Sequence, residues 1–404
     1  MVAVSFVALV AVAVLACLAM AWALGASSNS PPFAPALGAN AVSTMRAALL
    51  IGVLAGAGAL AQGGSISETV GSGLIAGVDI TPLAATAGLL TAAGYIGFGV
   101  YTGYPVPAAF AVTGAMVGVG LSLGGDPTFG TYQRIGLFWM AVPVFSGSLA
   151  YATATLLRRD DIPETVGVPL LAALVGAILA HVRLAVIPAG PGASQGSLAG
   201  VLSRRVPGTP EVLAGVDLAG VVATVALAAV GFWLVRRRTQ ASVDRGVRSF
   251  LVVLGSIVAF SGGGSQVGLA TGPLENLFRS QLGLPGITLL ALGGFGILLG
   301  AWMGSPRLLQ ATAREYAELG ARRSIAALVP GFIVAQTAIA LGIPISFNNI
   351  MISAVIGGGL AAGSAGVSRG KIQVTVVFWL VTLVTSVGVG FGLYRGLSTV
   401  LGVT

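Results

Sequence analysis

Small polar residues interrupt two Gly-rich stretches of an otherwise apolar sequence, and their side chains could bind an anion. Ser27 and Ser28 lie in the stretch GASSNSPPFAPALG, and Ser265 and Gln266 lie in the stretch GGSQVGLATGP. Hydroxyl and amide groups donate hydrogen bonds without adding a negative charge that would repel an anion. We expect these four side chains to bind a small inorganic oxyanion. Their alternative role is to cap half-helices.

A second pair of segments carries a Gly-x-Pro sequence at its start. Gly103–Leu121 reads GYPVPAAFAVTGAMVGVGL, and Gly342–Leu360 reads GIPISFNNIMISAVIGGGL. Pro105 and Pro344 should break their helices, because proline lacks an amide donor and restricts the preceding residue. Each break would free backbone N–H groups at the start of the next half-helix, where partial positive charge favours anions.

Three polar residues follow the second of these breaks, namely Ser346, Asn348 and Asn349. They could donate hydrogen bonds to the same anion. Their counterparts in the first half are apolar, so the predicted site is lopsided.

Two carboxylates near the Gly-rich stretches are candidates for coupling to an ion gradient. Glu68 and Glu275 could each carry a proton, because acids at membrane depth are usually functional. The alternative is that both are exposed loop carboxylates. No metal site and no cofactor is expected, and H⁺ or Na⁺ would be the coupling ion.

The spacing of the two pairs indicates an internal repeat. Gly103 and Gly342 are 239 residues apart, and Gly25 and Gly263 are 238 residues apart. Either pair alone could reflect Gly-rich helix packing. Two segments with nearly the same offset favour a repeat, and such repeats place a substrate site at their interface near the bilayer midplane.

The composition identifies the elements that must position these residues as membrane helices. Of 404 residues, 56% are hydrophobic and 8% are charged, whereas an average soluble domain carries about a quarter charged residues. The 61 glycines suit closely packed membrane helices.

The sequence predicts an all-α polytopic membrane protein with about 12 membrane segments, in two inverted repeats with broken or re-entrant helices. Two segments, near Ala47 and near Ser249, are short for a full crossing. The expected segments are Val2–Leu24, Ala47–Ala61, Thr81–Tyr101, Val106–Leu123, Ile135–Leu157, Val166–Ile187, Val212–Val235, Ser249–Phe260, Ile287–Met303, Ile325–Leu341, Ile345–Ala362 and Ile372–Leu393.

The domain prediction follows from these segments. Residues 1–187 form the first repeat with its flanking spans, 188–211 form a Gly/Pro/Ser-rich linker, and 212–404 form the second repeat. By the positive-inside rule, the basic loops around Arg158–Glu164, Arg236–Arg248 and Arg307–Arg323 face the cytoplasm. The expected location is the cytoplasmic membrane, with several passes through the bilayer.

Several classes of function are disfavoured by the sequence. The formal net charge of +8 comes from short basic loops rather than from a basic domain, so no nucleic-acid partner is expected. One cysteine, Cys17, and one histidine, His181, exclude a disulfide framework and a histidine-rich metal centre. No P-loop and no HExxH motif is present, and we predict that the protein is not an enzyme.

At the same motifs the chain resembles the inorganic phosphate transporter (PiT) family, which includes a sulfate-permease branch. That family carries a GANDVANA-type motif early in each half, and a G-x-P-V-S-T-T-H segment that runs into a Gly-rich helix. GASSNSPPFAPALG and FSGGGSQVGLATGPL match the first kind of motif, and GYPVP and GIPIS begin the second kind. The resemblance covers most of both halves.

The departures from the family motifs bear on the mechanism. Ser28 and Gln266 stand where the family has aspartates, and Ser27 and Ser265 stand where it has the preceding asparagines. The family's aspartates are expected to hold the coupling cation, so the usual Na⁺-coupled mechanism is in question here. The sulfate-permease branch also tolerates their loss. The run Ser-Thr-Thr-His is replaced in both halves, and Phe110 stands at the first histidine.

The resulting prediction is an ion-gradient-driven permease of inorganic phosphate that works by alternating access. Sulfate or a related oxyanion is the alternative substrate. A non-transporting membrane sensor or partner subunit is a further alternative, and a channel-like uniporter is another. The partners are the oxyanion and the lipid bilayer, and the sequence leaves the oligomeric state open, a homodimer being one arrangement.

Overall fold

The computed structural model describes residues 6–103, 106–159, 161–190, 195–206, 208–213, 216–315, 320–361, 363 and 368–402. Within this part of the chain, fifteen α-helices and two short hairpins make up the regular structure, with two 3₁₀ turns and one π turn between helices. The helices are α1 (Phe6–Ser27), α2 (Ala34–Gly38), α3 (Thr44–Gln62), α4 (Gly64–Ser72), α5 (Pro82–Thr102), α6 (Ala108–Ser122), α7 (Phe129–Leu157), α8 (Glu164–His181), α9 (Leu198–Arg205), α10 (Leu218–Ala241), α11 (Val243–Thr271), α12 (Gly286–Glu315), α13 (Ala321–Ala340), α14 (Phe347–Leu360) and α15 (Arg369–Leu401).

The two hairpins tie surface loops together. Strand β1 (Ile75–Ala76) pairs antiparallel with β2 (Asp126–Pro127), and β3 (Glu211–Leu213) pairs antiparallel with β4 (Val216–Asp217). Asp217 then caps α10 by accepting a hydrogen bond from the Gly220 amide. The hydrogen bond from the Ser203 hydroxyl, followed by that amide, lowers the pKa of Asp217.

Ten helical segments of the described chain are long and apolar enough to cross a bilayer. Two more apolar helices, α6 and α14, have 15 and 14 residues. At 1.5 Å per residue these two are about 22 Å long, shorter than the roughly 30 Å hydrocarbon core. The chain is therefore a multi-pass membrane protein with ten candidate spans and two short helices, and twelve full crossings are not confirmed.

The break expected in the first Gly-rich stretch is present. Helix α1 ends at Ser27, a 3₁₀ turn covers Pro31–Phe33, and the short α2 follows, so the three pieces form one interrupted span. Consecutive prolines at the start of the turn remove two amide donors and stop the helix.

The break expected in the second Gly-rich stretch is absent, and this prediction was wrong. Helix α11 continues through Ser265 and Gln266 and ends only at Thr271. The expectation of a short segment at Ser249–Phe260 was wrong for the same reason. Close packing outweighs the low helix propensity of glycine here, because a Cβ on Gly263 would lie 1.8 Å from the Ala55 carbonyl oxygen of α3.

The other two expected breaks differ in what can be said of them. Helix α13 ends at Ala340 and α14 begins at Phe347, so the chain is non-helical around Pro344 as expected. Pro105 lies outside the described residues. The interval expected as a linker contains helix α9, which Ser197 caps by accepting a hydrogen bond from the Gly200 amide.

Close contacts at glycines fix the relative directions of the helices. Helix α3 runs parallel to α11, since Gly58 faces Phe260 and Gln62 faces Gly264. Helix α1 runs parallel to α12, because Ala21 faces Gly296 and Ala26 faces Gly304. Helices α3 and α12 are antiparallel, as Gly52 faces Trp302 while Gly56 faces Gly294. It follows that α1 and α11 run in opposite directions.

The arginine-rich loops lie together at one end of the helices, which we call the basic end. It contains Arg158 after α7, Arg236–Arg248 between α10 and α11, and Arg322, which forms an ion pair with Glu164 at the start of α8. The far ends of α3, α8 and α13 meet at the opposite end, where the Gln62 amide donates to the Arg183 carbonyl and Thr69 donates to the Gly342 carbonyl.

Candidate functional site

The polar residues predicted from the Gly-rich motifs are buried near the N-terminus of α14. Seven side chains expected to bind the substrate are at most 2% exposed, namely Ser27, Ser28, Ser265, Gln266, Ser346, Asn348 and Asn349. Together with Asn29, which is also fully buried, we call them the central polar cluster. All eight side chains are neutral, so the cluster brings hydrogen-bonding groups but no charge of its own.

Asn348 connects both halves of the chain. Its Nδ2 donates to the Val106 carbonyl, just before α6, at 2.9 Å and to the Ser27 hydroxyl at 3.3 Å. A backbone carbonyl can only accept, so this bond fixes the orientation of the amide. The Asn348 Oδ1 atom is then presented elsewhere, and it is buried without a hydrogen-bond partner in the described part of the chain.

Gln266 has the same arrangement on α11. Its Nε2 donates to the Ile345 carbonyl at 3.0 Å and to the neighbouring Ser265 hydroxyl at 3.3 Å. Its Oε1 is buried and has no partner among the residues that the structure describes. Two amide oxygens with fixed orientation are thus held without a donor in the protein interior, where an unmade hydrogen bond costs about 1–3 kcal/mol.

Asn29 was not predicted and is the least satisfied member of the cluster. Both its Oδ1 and its Nδ2 are buried without partners within the described residues. An added Cβ on Gly262 would lie 2.7 Å from Asn29 Oδ1, so α11 passes directly beside this side chain. The signal in the sequence was its position between Ser28 and Ser30, in the stretch that breaks α1.

Three further members of the cluster carry unpaired oxygens. The hydroxyls of Ser28 and Ser346 and the Oδ1 of Asn349 are buried and lack partners among the described residues. Ser346 immediately precedes α14 but makes no capping hydrogen bond there. The capping role considered for such residues is therefore not the one that Ser346 has.

The first-half counterpart of the Asn348–Asn349 pair is aromatic packing rather than a polar surface. Phe110 stacks on Trp139 of α7 with ring centroids 4.0 Å apart, and the Trp139 indole N–H donates to the Pro344 carbonyl at 2.8 Å. These rings support the non-helical chain that leads into α14. The polar groups of the site accordingly come from α1, α11 and α14.

An open cavity of about 470 Å³ lies at the end opposite the basic end. We call it the vestibule, and its polar lining residues are Ser65, His181, Arg183, Gln195, Gln336 and Thr337. His181 shares a 2.8 Å hydrogen bond with Thr224.

A short chain of polar side chains separates the vestibule from the central polar cluster. The Gln336 amide donates to the Ser261 hydroxyl at 2.6 Å, and the Gln62 amide donates to Gln336 Oε1 at 3.4 Å. Ser261 lies one helical turn before Ser265 on the same face of α11. Sequence reasoning missed this chain, although a glutamine inside an apolar run such as IVAQTAIA is an available signal.

The two candidate coupling carboxylates line a second open cavity, of about 640 Å³, at the same end. Glu275 is largely buried and pairs through Oε1 with Arg279 at 3.2 Å, whereas its Oε2 is buried without a partner in the described residues. Glu68 is exposed, as the alternative interpretation of a loop carboxylate expected. The structure thus brings the two acids to one cavity but gives them different surroundings.

Comparison with known proteins identifies the family. The model of the phosphate transporter family matches residues 24–390. The chain belongs to the phosphate transporter family. Its motif resemblance, stated from the sequence, is confirmed by this match.

Relatives of this family member extend over most of its length. A protein that carries the name phosphate permease in Thermococcus kodakarensis is 24% identical over 388 residues, which cover 90% of this chain and 91% of the relative. One from Chlamydia muridarum with the same kind of name is 26% identical, with 90% and 92% covered. A solved structure of a sodium-dependent phosphate transporter has a TM-score of 0.81 and 23% identity, covers 97% of this chain and 100% of its own, and shows that the two share a fold.

Proposed function

We propose that this protein is a permease that moves inorganic phosphate across the cytoplasmic membrane by alternating access, driven by an ion gradient. Membership of the phosphate transporter family supports the substrate class. The observation that carries the proposal is the central polar cluster, because it offers a buried, uncharged set of hydrogen-bonding groups between the two halves. Burying a polar group without a partner is costly, so a bound polar ligand would remove that cost.

The fixed amide oxygens favour phosphate over sulfate. Asn348 Oδ1 and Gln266 Oε1 can only accept hydrogen bonds, so they require a ligand that donates. Phosphate keeps at least one proton at neutral pH and is both a donor and an acceptor. Sulfate is fully deprotonated at that pH and would face both amide oxygens with oxygen atoms alone.

Hydrogen-bond donors for the remaining phosphate oxygens are also available. The Ser28 and Ser346 hydroxyls and the Asn29 amide nitrogen are buried and unpaired in the described structure. The N-terminus of α14 adds partial positive charge from its backbone amides. Donors and acceptors together match a protonated oxyanion better than either kind of group would alone.

An inverted repeat would supply the mechanism of alternating access. Its support is that α5 and α13 begin 239 residues apart, at Pro82 and Ala321, and that α6 and α14 begin 239 residues apart, at Ala108 and Phe347. The opposite directions of α1 and α11 fit an inversion between the halves. The cluster would then lie at the interface of the two repeats.

The route to the site would begin at the vestibule. The positive-inside rule places the basic end in the cytoplasm, so the vestibule would open outward. Arg183 would attract the anion there, and the Gln62–Gln336–Ser261 chain would have to open to admit it.

The coupling ion would be H⁺ or Na⁺. Glu275 is the better candidate for carrying a proton, since its Oε2 is buried and unpaired while Glu68 is exposed. Sodium would have to use neutral oxygens, such as backbone carbonyls of non-helical segments, which coordinate Na⁺ in transporters with inverted repeats.

The test is uptake of radiolabelled phosphate into proteoliposomes, with unlabelled sulfate as competitor and with imposed Na⁺ or H⁺ gradients. We expect saturable phosphate uptake that equimolar sulfate leaves unchanged and that one of the two gradients accelerates. Strong competition by sulfate with little phosphate flux would assign the protein to sulfate transport. Binding of phosphate without any flux would favour the sensor or partner-subunit alternative.

A further inference from the structure

An apolar groove separates α10 from the first half of α11, away from the central polar cluster. It has a volume of about 290 Å³ and lies in the lower halves of α8, α10 and α11. Its walls include Val175 of α8, Val230 and Leu234 of α10, and Phe250 and Val253 of α11. Helix α10 packs closely on α8 instead, because Gly176 and Gly231 let the two backbones approach.

The groove has one closed end, and that end is basic. Gly246 near the start of α11 packs against Thr239 of α10, where an added Cβ would lie 2.7 Å from the Thr239 backbone. Arg238 lines the groove at this end. From Arg238 to Leu227, the groove-lining part of α10 rises by about 16 Å, which is about half of the hydrocarbon core and therefore the depth of one leaflet.

Arg238 differs from the neighbouring arginines in having no partner. Arg237 lies over the Trp233 ring at 3.8 Å from its centroid, and Arg248 pairs with Asp244 at 2.9 Å. The Arg238 side chain is exposed and forms neither an ion pair nor a hydrogen bond with the described residues. Asp244, the carboxylate in the first turn of α11, is already occupied by Arg248.

The start of α11 adds to the positive character of this end. Ser242 caps the helix, and the first backbone amides of α11 carry partial positive charge beside Arg238. An anionic group at the mouth of the groove would therefore meet a guanidinium and a helix N-terminus together.

We propose that this groove binds one acyl chain of an anionic phospholipid, with the lipid phosphate on Arg238 and the N-terminus of α11. The walls are apolar apart from Arg238 and Ser249, which suits a hydrocarbon chain and not a water-soluble metabolite. Basic pockets between membrane helices on the cytoplasmic side are the kind of site that recognises lipid head groups. The bilayer supplies this ligand at the depth at which the groove lies.

The test compares lipid retention by the purified full-length protein in native mass spectrometry. Phosphatidylglycerol and phosphatidylcholine with identical acyl chains are added at equal concentrations. We expect wild type to retain phosphatidylglycerol about fivefold better, the factor that corresponds to roughly 1 kcal/mol per basic residue near the surface. The variant Arg238→Gln should bring the ratio close to one.

The matched control is Arg237→Gln, which removes the same charge from the adjacent residue of the same helix. Because Arg237 is held against Trp233, this variant should keep the wild-type preference. An equal loss in both variants would overturn the proposal, since it would show general attraction to the arginine loop. Equal retention of the two lipids by wild type would overturn it as well.

The apolar part of the site is tested by filling the groove. Val253→Trp should lower retention of both lipids at least threefold, whereas Val225→Trp, at an exposed α10 position outside the groove, should not. A thermal melt of each variant verifies that it is folded. Unchanged retention in folded Val253→Trp would overturn the acyl-chain assignment, and displacement of phosphatidylglycerol by millimolar inorganic phosphate would show a site for free phosphate instead.

Discussion

The two Gly-rich motifs have almost the same spacing in the repeat but different backbones. In the first, α1 stops at Ser27 and a 3₁₀ turn begins at Pro31. In the second, α11 continues as a helix through Ser265 and Gln266. Consecutive prolines stop the first helix, while the second motif has its nearest following proline, Pro273, only after α11 has ended.

This difference decides how each motif presents its polar groups. The break frees Asn29 from helical geometry, and both ends of its amide are left unpaired in the described structure. The unbroken helix positions Gln266 rigidly, with one end of its amide bound to the Ile345 carbonyl. A repeat in sequence therefore preserves where polar side chains lie, but not whether the backbone or a side chain supplies the contact.

The largest expected effect concerns the fixed amides. Asn348→Leu should raise the phosphate concentration for half-maximal uptake by about 10- to 100-fold, because a hydrogen bond to a charged group contributes about 1.5–3 kcal/mol. Uptake into proteoliposomes measures this. Asn276→Leu, which alters an exposed asparagine outside the cluster, is the control and should leave uptake unchanged.

The close packing of the second motif predicts a loss of stability. Gly263→Ala should destabilise the protein by about 1–3 kcal/mol, since a Cβ there meets the Ala55 carbonyl oxygen and overpacking carries that cost. Gly94→Ala, where no atom lies within 4 Å, should leave stability unchanged or raise it. Thermal unfolding in detergent compares them, and equal melting temperatures would contradict the packing argument.

Adding a carboxylate to each motif separates their two geometries. Ser28→Asp places a charge beside unpaired groups, so phosphate uptake should fall about tenfold without Na⁺ and recover as Na⁺ neutralises the new charge. Gln266→Glu would instead set a carboxylate oxygen against the Ile345 carbonyl, which now accepts at 3.0 Å. We expect this variant to lose thermal stability, and identical Na⁺ rescue in both variants would contradict the comparison.

The smallest expected effect lies at the vestibule. Arg183→Gln should raise the half-saturating phosphate concentration about two- to fivefold at low salt, and the difference should shrink at higher ionic strength because exposed charges are screened. Arg205→Gln, an exposed arginine outside the vestibule lining, is the control. A difference that is independent of salt would argue against electrostatic attraction.

Much of the fold could be predicted from the sequence. The apolar segment expected at Thr81–Tyr101 corresponds to α5, which is Pro82–Thr102, and the segment at Ile325–Leu341 lies within a residue or two of the end of α13. Hydrophobic length and flanking Gly and Pro residues are local signals, so they survive without knowledge of tertiary contacts.

The central polar cluster was predictable in part. The repeat offset selected Ser27, Gln266 and Asn348, and the structure buries all three within one cluster. Asn29 and Gln336 were missed, because their role depends on which helices face each other. The backbone at Ser265 was wrong, since the packing of α11 on α3 depends on contacts distant in sequence, and a Gly-rich run gives no sign of them.

The neutrality of the central polar cluster has an electrical consequence for the proposed transport cycle. A loaded cluster carries only the charge of its ligand, so the membrane voltage acts on that charge in full. Moving an anion into a negative interior costs about 2.3 kcal/mol per elementary charge for every 100 mV. Under the proposed function, cations held elsewhere in the protein must cross together with phosphate, and their number sets whether uptake generates a current.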